Sequence, residues 1–139
     1  MLSIGIFYFS GTGNTELVSK LLVSAFERRE TKVELIKIED IIYKKVKFDP
    51  DKYDFIGIGH PVLAFDATAI VYRFVKLLPE VNWKRTFIFK TAGDSLFINN
   101  GASRSAIRIL EEKGYKVFHD SIFAMPCNFF MKYDGRDEN

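Results

Sequence analysis

"FSGTGNTE", Phe9 to Glu16, is the stretch on which the reading of this chain turns. It follows directly on "LSIGIFYF" (Leu2–Phe9), a run nearly all apolar and β-rich, as expected of a central parallel strand covered on both faces. After it, Leu17, Val18, Leu21, Leu22 and Ala25 recur at helical spacing, and "ERRE" (Glu27–Glu30) closes that helix on the solvent side. A strand, a small polar loop and a helix start together make an anion site. The amides of the first helical turn lack partners, and the helix dipole favours negative charge by ~0.3–2 kcal/mol. Ser10, Thr12, Asn14 and Thr15 add short donors, and Gly11 and Gly13 let the backbone bend and approach a ligand closely.

What the loop lacks narrows the anion. A nucleotide-hydrolysing P-loop needs a lysine after its last glycine, and here Asn14 follows Gly13. The dinucleotide fingerprint needs a third glycine where this chain has Glu16, whose charge would also repel a pyrophosphate. An uncharged, hydroxyl-rich loop suits one terminal phosphomonoester. The plainer alternative is a glycine-rich turn between strand and helix with no ligand.

Outward from the loop, apolar runs alternate with helix-period stretches. "KVELIKI" (Lys32–Ile38) suits an edge strand and "YDFIGIGH" (Tyr53–His60) a buried one. Asp66 is placed to cap a helix through Ala69, Ile70, Phe74 and Leu77 that stops at Pro79. "RTFIFKTA" (Arg85–Ala92) is the fourth strand, "SRSAIRILEEKG" (Ser103–Gly114) a helix ended by Gly114, and "YKVFHDSIFAMP" (Tyr115–Pro126) the last strand. This alternation predicts an α/β fold: a three-layer, doubly wound, five-stranded parallel sheet with right-handed crossovers. Ligands in such sheets sit beyond the carboxyl ends of the strands, so Ser10–Thr15, His60–Phe65, Thr91–Asn100 and Ala124–Phe129 are expected to share one functional end.

The 139 residues make one domain, 1–139. A net charge of +2 is too small to argue for nucleic-acid or membrane binding, so neither partner is expected, and "YKKVK" (Tyr43–Lys47) reads as a solvated connection. Cys127 is the single cysteine, which excludes a disulfide framework or an iron–sulfur cluster within this chain. It has no basic neighbour to generate thiolate and reads as inert. No secretory leader and no apolar run of membrane-spanning length appears, so a cytoplasmic location is expected.

"SGTGNT" resembles the phosphate loop of the flavodoxin family, whose (S/T)-x-T-G-x-T pattern is matched at Ser10, Thr12, Gly13 and Thr15. The resemblance covers nearly the whole chain and implies strand order 2-1-3-4-5, FMN as cofactor and electron transfer as function. "GHPVLAFDAT", "TAGD" and "NNGAS" look like the flavodoxin-like domains that anaerobes fuse ahead of a ferredoxin. On that footing the FMN site comprises Ser10, Gly11, Thr12, Gly13, Asn14 and Thr15 for the phosphate. Pro61, Val62, Leu63, Ala64, Phe65, Thr91, Ala92, Gly93, Asp94 and Phe97 would lie around the ring. Phe65, Phe97, Phe129 and Tyr133 are the candidates to stack on it, with Phe97 first. Trp83 lies at the wrong end of the sheet and reads as structural. "HPVLAF" lacks the glycine that many flavodoxins place beside the ring, which implies a loop that responds less to reduction. Asp94 either accepts from the ring's N3–H or serves a turn, and His60 either influences the ring or is a hydrogen-bonded core imidazole. His119 has no assigned role.

The implied partner is a redox protein such as a ferredoxin, or a C-terminal iron–sulfur domain. Flavodoxins are typically acidic and this chain is slightly basic, so an acidic or covalently attached partner is expected. The alternatives are an FMN-dependent NAD(P)H–quinone reductase-type enzyme and a flavin-less binding module on the same fold. Few residues follow the last strand, so the final helix that the resemblance calls for is missing. Either the chain is truncated before it, with "YDGRDEN" leading into a further segment, or a dimer covers the gap.

Overall fold

The computed structural model describes residues 1–11, 13–63, 66–92 and 102–124. Its parallel sheet is built from β1 (Ser3–Tyr8), β2 (Lys32–Lys37), β3 (Phe55–Leu63), β5 (Lys84–Ala92) and β6 (Tyr115–Ala124). The two-residue β4 (Asp66–Ala67) runs antiparallel to the end of β3. The spatial order is β2-β1-β3-β5-β6, which is 2-1-3-4-5 when the five parallel strands are counted alone. The helices are α1 (Asn14–Glu27), α2 (Ile38–Tyr43), α3 (Ala69–Leu77) and α4 (Arg104–Glu112). Among the described residues, no helix is long and apolar enough to cross a membrane.

Alternation along each strand divides the core in two. Phe7, Ile56, Ile58 and Ile88 meet Ile38, Val71, Phe74, Val75 and Leu110 from α2, α3 and α4 on one face. Ile4, Ile6, Phe87 and Phe89 meet Val18, Leu22 and Phe26 of α1 on the other. On the α1 face the rings of Phe87 and Phe89 lie directly over Gly57 and Gly59 of the adjacent strand. A Cβ at Gly57 would stand 2.4 Å from the Phe87 ring, and one at Gly59 would stand 2.3 Å from the Phe89 ring. These two glycines are therefore requirements of close approach. Beside α1, a groove of about 480 Å³ opens over this face, lined by Leu2, Phe26, Phe55, Phe87, Phe118 and Phe123. Phe118 is the extra residue where the β5–β6 register shifts between Thr86 and Phe87, and it is 56% exposed.

Several local expectations need correction. The N-cap position of α3 falls at Thr68 and not at Asp66, whose backbone belongs to β4, paired in register with Leu63. The backbone after His60 continues as strand through Leu63 and folds back, because β4 offers the end of β3 a hydrogen-bonding partner. The inward stripe of α3 is Val71, Phe74, Val75 and Leu78, with Leu77 exposed. In α1 the inward stripe is Thr15, Val18, Ser19 and Leu22, while Leu17 and Leu21 face out. "KVELIKI" gives up Ile38, which begins α2 and is fully buried. Tyr43–Lys47 is exposed throughout, in keeping with a solvated connection.

At the end of the sheet away from the loops, the Tyr53 hydroxyl donates to Glu34 Oε1 at 2.6 Å, and Lys52 Nζ stands 3.3 Å from Glu34 Oε2. The hydrogen bond from Tyr53, ahead of the attraction of Lys52, holds the Glu34 carboxyl below its ordinary range. Burial, then the same carboxylate, pushes the Tyr53 phenol up. A carboxyl lowered by folding contributes stability above its unfolded value and loses it as pH falls through the folded one. Tyr53→Phe is expected to raise the Glu34 titration toward the ordinary glutamate range, read by carboxyl-carbon NMR. Gly59→Ala is expected to cost about 1–3 kcal/mol by overpacking against Phe89, read by urea unfolding.

Candidate functional site

The loop between β1 and α1 is organised by one side chain. Ser10 Oγ accepts from the amides of Gly13 at 3.0 Å and Glu16 at 3.1 Å, and so caps the helix from outside its first turn. With both lone-pair positions taken, the Ser10 hydroxyl keeps its hydrogen for a further acceptor. Gly13 holds φ at 100°, the left-handed region that glycine tolerates, and this turns the chain from strand to helix. The Gly11 and Thr15 amides have no hydrogen-bond partner among the described residues. The Thr15 side chain points into the core, where its Oγ1 is 2.9 Å from Thr91 Oγ1 near the end of β5. Behind it, the Ser19 hydroxyl donates to the Thr15 carbonyl at 2.7 Å.

The parallel strands bring the other expected segments to the same end. Pro61 of β3 is in register with Thr91 of β5, and Ala92 with Ala124 of β6. Val62 pairs with Ala67 across the β3–β4 turn. Ser10, Gly11, Gly13, Asn14, Thr15, Pro61, Val62, Thr91 and Ala92 thus lie at the carboxyl end of the sheet, as does the backbone of Leu63. Asn14 is the first residue of α1. Thr12, Ala64, Phe65, Gly93, Asp94 and Phe97 lie outside the described residues, as do Cys127, Phe129 and Tyr133. Trp83 precedes β5 at the opposite end and is 66% exposed.

Beneath these loops, on the face packed by α3 and α4, is a buried polar cluster. His60 is 1% exposed; its Nδ1 lies 3.0 Å from the Pro61 carbonyl and its Nε2 3.0 Å from Ser103 Oγ. A carbonyl can only accept, so Nδ1 carries the hydrogen, and in the neutral ring the Ser103 hydroxyl donates to Nε2. Of the two roles considered for His60, this is the hydrogen-bonded core imidazole. Its register neighbour Lys90 is fully buried, with Nζ 2.7 Å from Asp120 Oδ1. Sequence reasoning passed over Lys90. The available signal was a charge inside the otherwise apolar strand "FIFKTA", which has to find a partner when buried. His119 is exposed on β6 and lines the apolar groove.

Chemically, the loop can hold an anion by peptide and hydroxyl hydrogens. Among the described residues, no cluster of His, Cys, Asp and Glu could hold a metal ion. Ser10→Ala removes the acceptor of two amides at the start of α1. It is expected to cost about 0.5–2 kcal/mol without any ligand present, read by thermal unfolding.

No protein-family model matches the sequence, and no curated protein matches it. Solved structures do. The two-electron reduced flavodoxin of Megasphaera elsdenii superposes with a TM-score of 0.72 at 23% identity, over 91% of this chain and 89% of that one. A flavodoxin from the domain Archaea gives 0.67 at 18% identity, over 94% and 90%. A mutant Fusobacterium nucleatum flavodoxin bound to flavin mononucleotide gives 0.63 at 22% identity, over 84% and 68%. With its strand order and its loop at the end of β1, the chain has the flavodoxin-like α/β fold.

Proposed function

We propose that this protein binds FMN and carries electrons between redox proteins. The observation that carries the reading is the β1–α1 loop, where the Gly11 and Thr15 amides and the Ser10 hydroxyl are donors without acceptors among the described residues. A terminal phosphate supplies acceptors and no competing donors. The residues fit such a group: among the described residues, a Cβ at Gly11 or Gly13 would meet nothing within 4 Å, so no described side chain fills the space beside the loop. The helix start adds its positive partial charge. Thr12 belongs with the phosphate loop on this reading. Pro61, Val62, Leu63 and Ala92 then mark where a flat ring extends over the neighbouring strand ends, with Ala64, Phe65, Gly93, Asp94 and Phe97 completing the ring's surroundings. The flavin, when bound, supplies the redox chemistry; the protein binds and orients it.

The partner on this reading is a redox protein or an attached iron–sulfur domain. A net charge of +2 favours an acidic docking surface on that partner. Adding FMN to the purified chain is expected to shift its visible absorption bands and quench its fluorescence. Riboflavin, which lacks the phosphate, is expected to bind about a hundredfold more weakly. One or two lost charge-assisted hydrogen bonds, at ~1.5–3 kcal/mol each, are enough for that difference. Equal affinity for the two, or no binding of either, would remove the basis of the proposal. Steady oxidation of NADPH with a quinone by the FMN-loaded protein would place it among the reductases.

A further inference from the structure

We infer that Thr91 is a positioning residue for the phosphate loop, acting through Thr15 without touching the ligand itself; this rests on the reading of that loop as a phosphate site. Thr15 and Thr91 are 76 residues apart in sequence, yet their hydroxyls meet at 2.9 Å. Thr15 is 1% exposed and Thr91 4% exposed. Each hydroxyl carries one hydrogen, and one of the two hydrogens lies in the shared bond. Neither hydroxyl makes another hydrogen bond among the described residues, so the second hydrogen has no acceptor there. The Thr15 amide is likewise unmatched. Buried donors in this state call for an acceptor.

The pair has two arrangements. If Thr15 donates to Thr91, the spare hydrogen sits on β5, away from the helix start. If Thr91 donates to Thr15, the spare hydrogen sits on Thr15, next to its unmatched amide at the start of α1. An anion on the loop selects the second arrangement. Thr91 then holds Thr15 Oγ1 in place and polarises its O–H toward the ligand, a cooperative effect along the chain of hydrogen bonds. Ser19, donating to the Thr15 carbonyl, ties down the same residue from the helix side. Without Thr91's hydroxyl, Thr15 Oγ1 is released to rotate toward a carbonyl of its own turn, as threonine in a helix readily does.

The test compares the wild-type chain with Thr91→Val, which keeps the shape and removes the donor, and Thr91→Ser, which keeps the donor. Thr91→Ala stands in should the valine variant not fold. Dissociation constants are measured for FMN, riboflavin and inorganic phosphate. Thr91→Val is expected to weaken FMN and inorganic phosphate by about fivefold to tenfold, the worth of one net hydrogen bond. Riboflavin affinity should stay within about twofold, and Thr91→Ser should restore FMN binding to within about twofold. Equal losses for FMN and riboflavin would make Thr91 a general structural or ring-contact residue and overturn the inference, as would no loss at all. Wild-type binding of phosphate that Thr91→Val weakens, without FMN binding, upholds the inference and overturns the flavin reading. Wild-type binding of FMN with no selective effect of Thr91→Val does the reverse. Binding of none of the three overturns both.

Discussion

The first amides of any α-helix lack intrahelical acceptors, and here the first helix begins where the central strand ends. The chain meets part of that demand itself, with Ser10 Oγ accepting from Gly13 and Glu16. It leaves Gly11 and Thr15 unmatched among the described residues. A free helix end on a surface would fill those donors with water at no cost. Thr15, however, is drawn inward onto Thr91, so its amide stands at a buried position where an acceptor has to be shaped to fit. The packing of β3 and β5 serves to hold this helix start at the end of β1.

The sheet holds it by close approach. Phe87 and Phe89 lie over Gly57 and Gly59, so β5 presses its aromatic rings onto β3 with no side chain between. The ring centroids of Phe87 and Phe89 are 6.3 Å apart and nearly parallel, and Phe26 of α1 approaches Phe87 at 6.0 Å. Thr91 follows Phe89 on the same face of β5, which is why its hydroxyl arrives under α1. The aromatic stack and the threonine contact are one row of side chains.

The parallel order and the loop at the end of β1 were legible because they rest on strong local signals: a continuous apolar run, two glycines and short polar residues before a helical period. The misplaced details are those in which tertiary partners decide. Asp66 has good capping chemistry, yet its backbone finds a partner in Leu63 of β3, and the helix starts at Ala69. Leu17 and Leu21 fit a helical stripe as well as Thr15 and Ser19 do by spacing, and better by hydropathy. The inward side went to the two hydroxyl residues because Thr15 faces Thr91 and Ser19 returns a bond to the Thr15 carbonyl. Hydropathy ranks side chains by their transfer into oil, so a buried position that requires a donor is invisible to it.

Lys90 illustrates the same point on the opposite face. A buried ion pair rarely stabilises a protein more than well-packed apolar residues would, because desolvation offsets the attraction. Its effect lies in placement. Asp120 fixes Lys90 across the β5–β6 pair, while His60, the register neighbour of Lys90, binds Pro61 on one side and Ser103 at the start of α4 on the other. These directional contacts join β3, β5, β6 and α4 near the carboxyl ends of the strands. Apolar packing could fill that space equally well but would tolerate sliding; hydrogen bonds with fixed partners do not. The two faces thus divide the labour. On the α1 face, aromatic rings over glycines set the distance between strands. On the α4 face, polar contacts fix β5 against β6 and β3 against the start of α4, and so steady the frame at this end of the sheet.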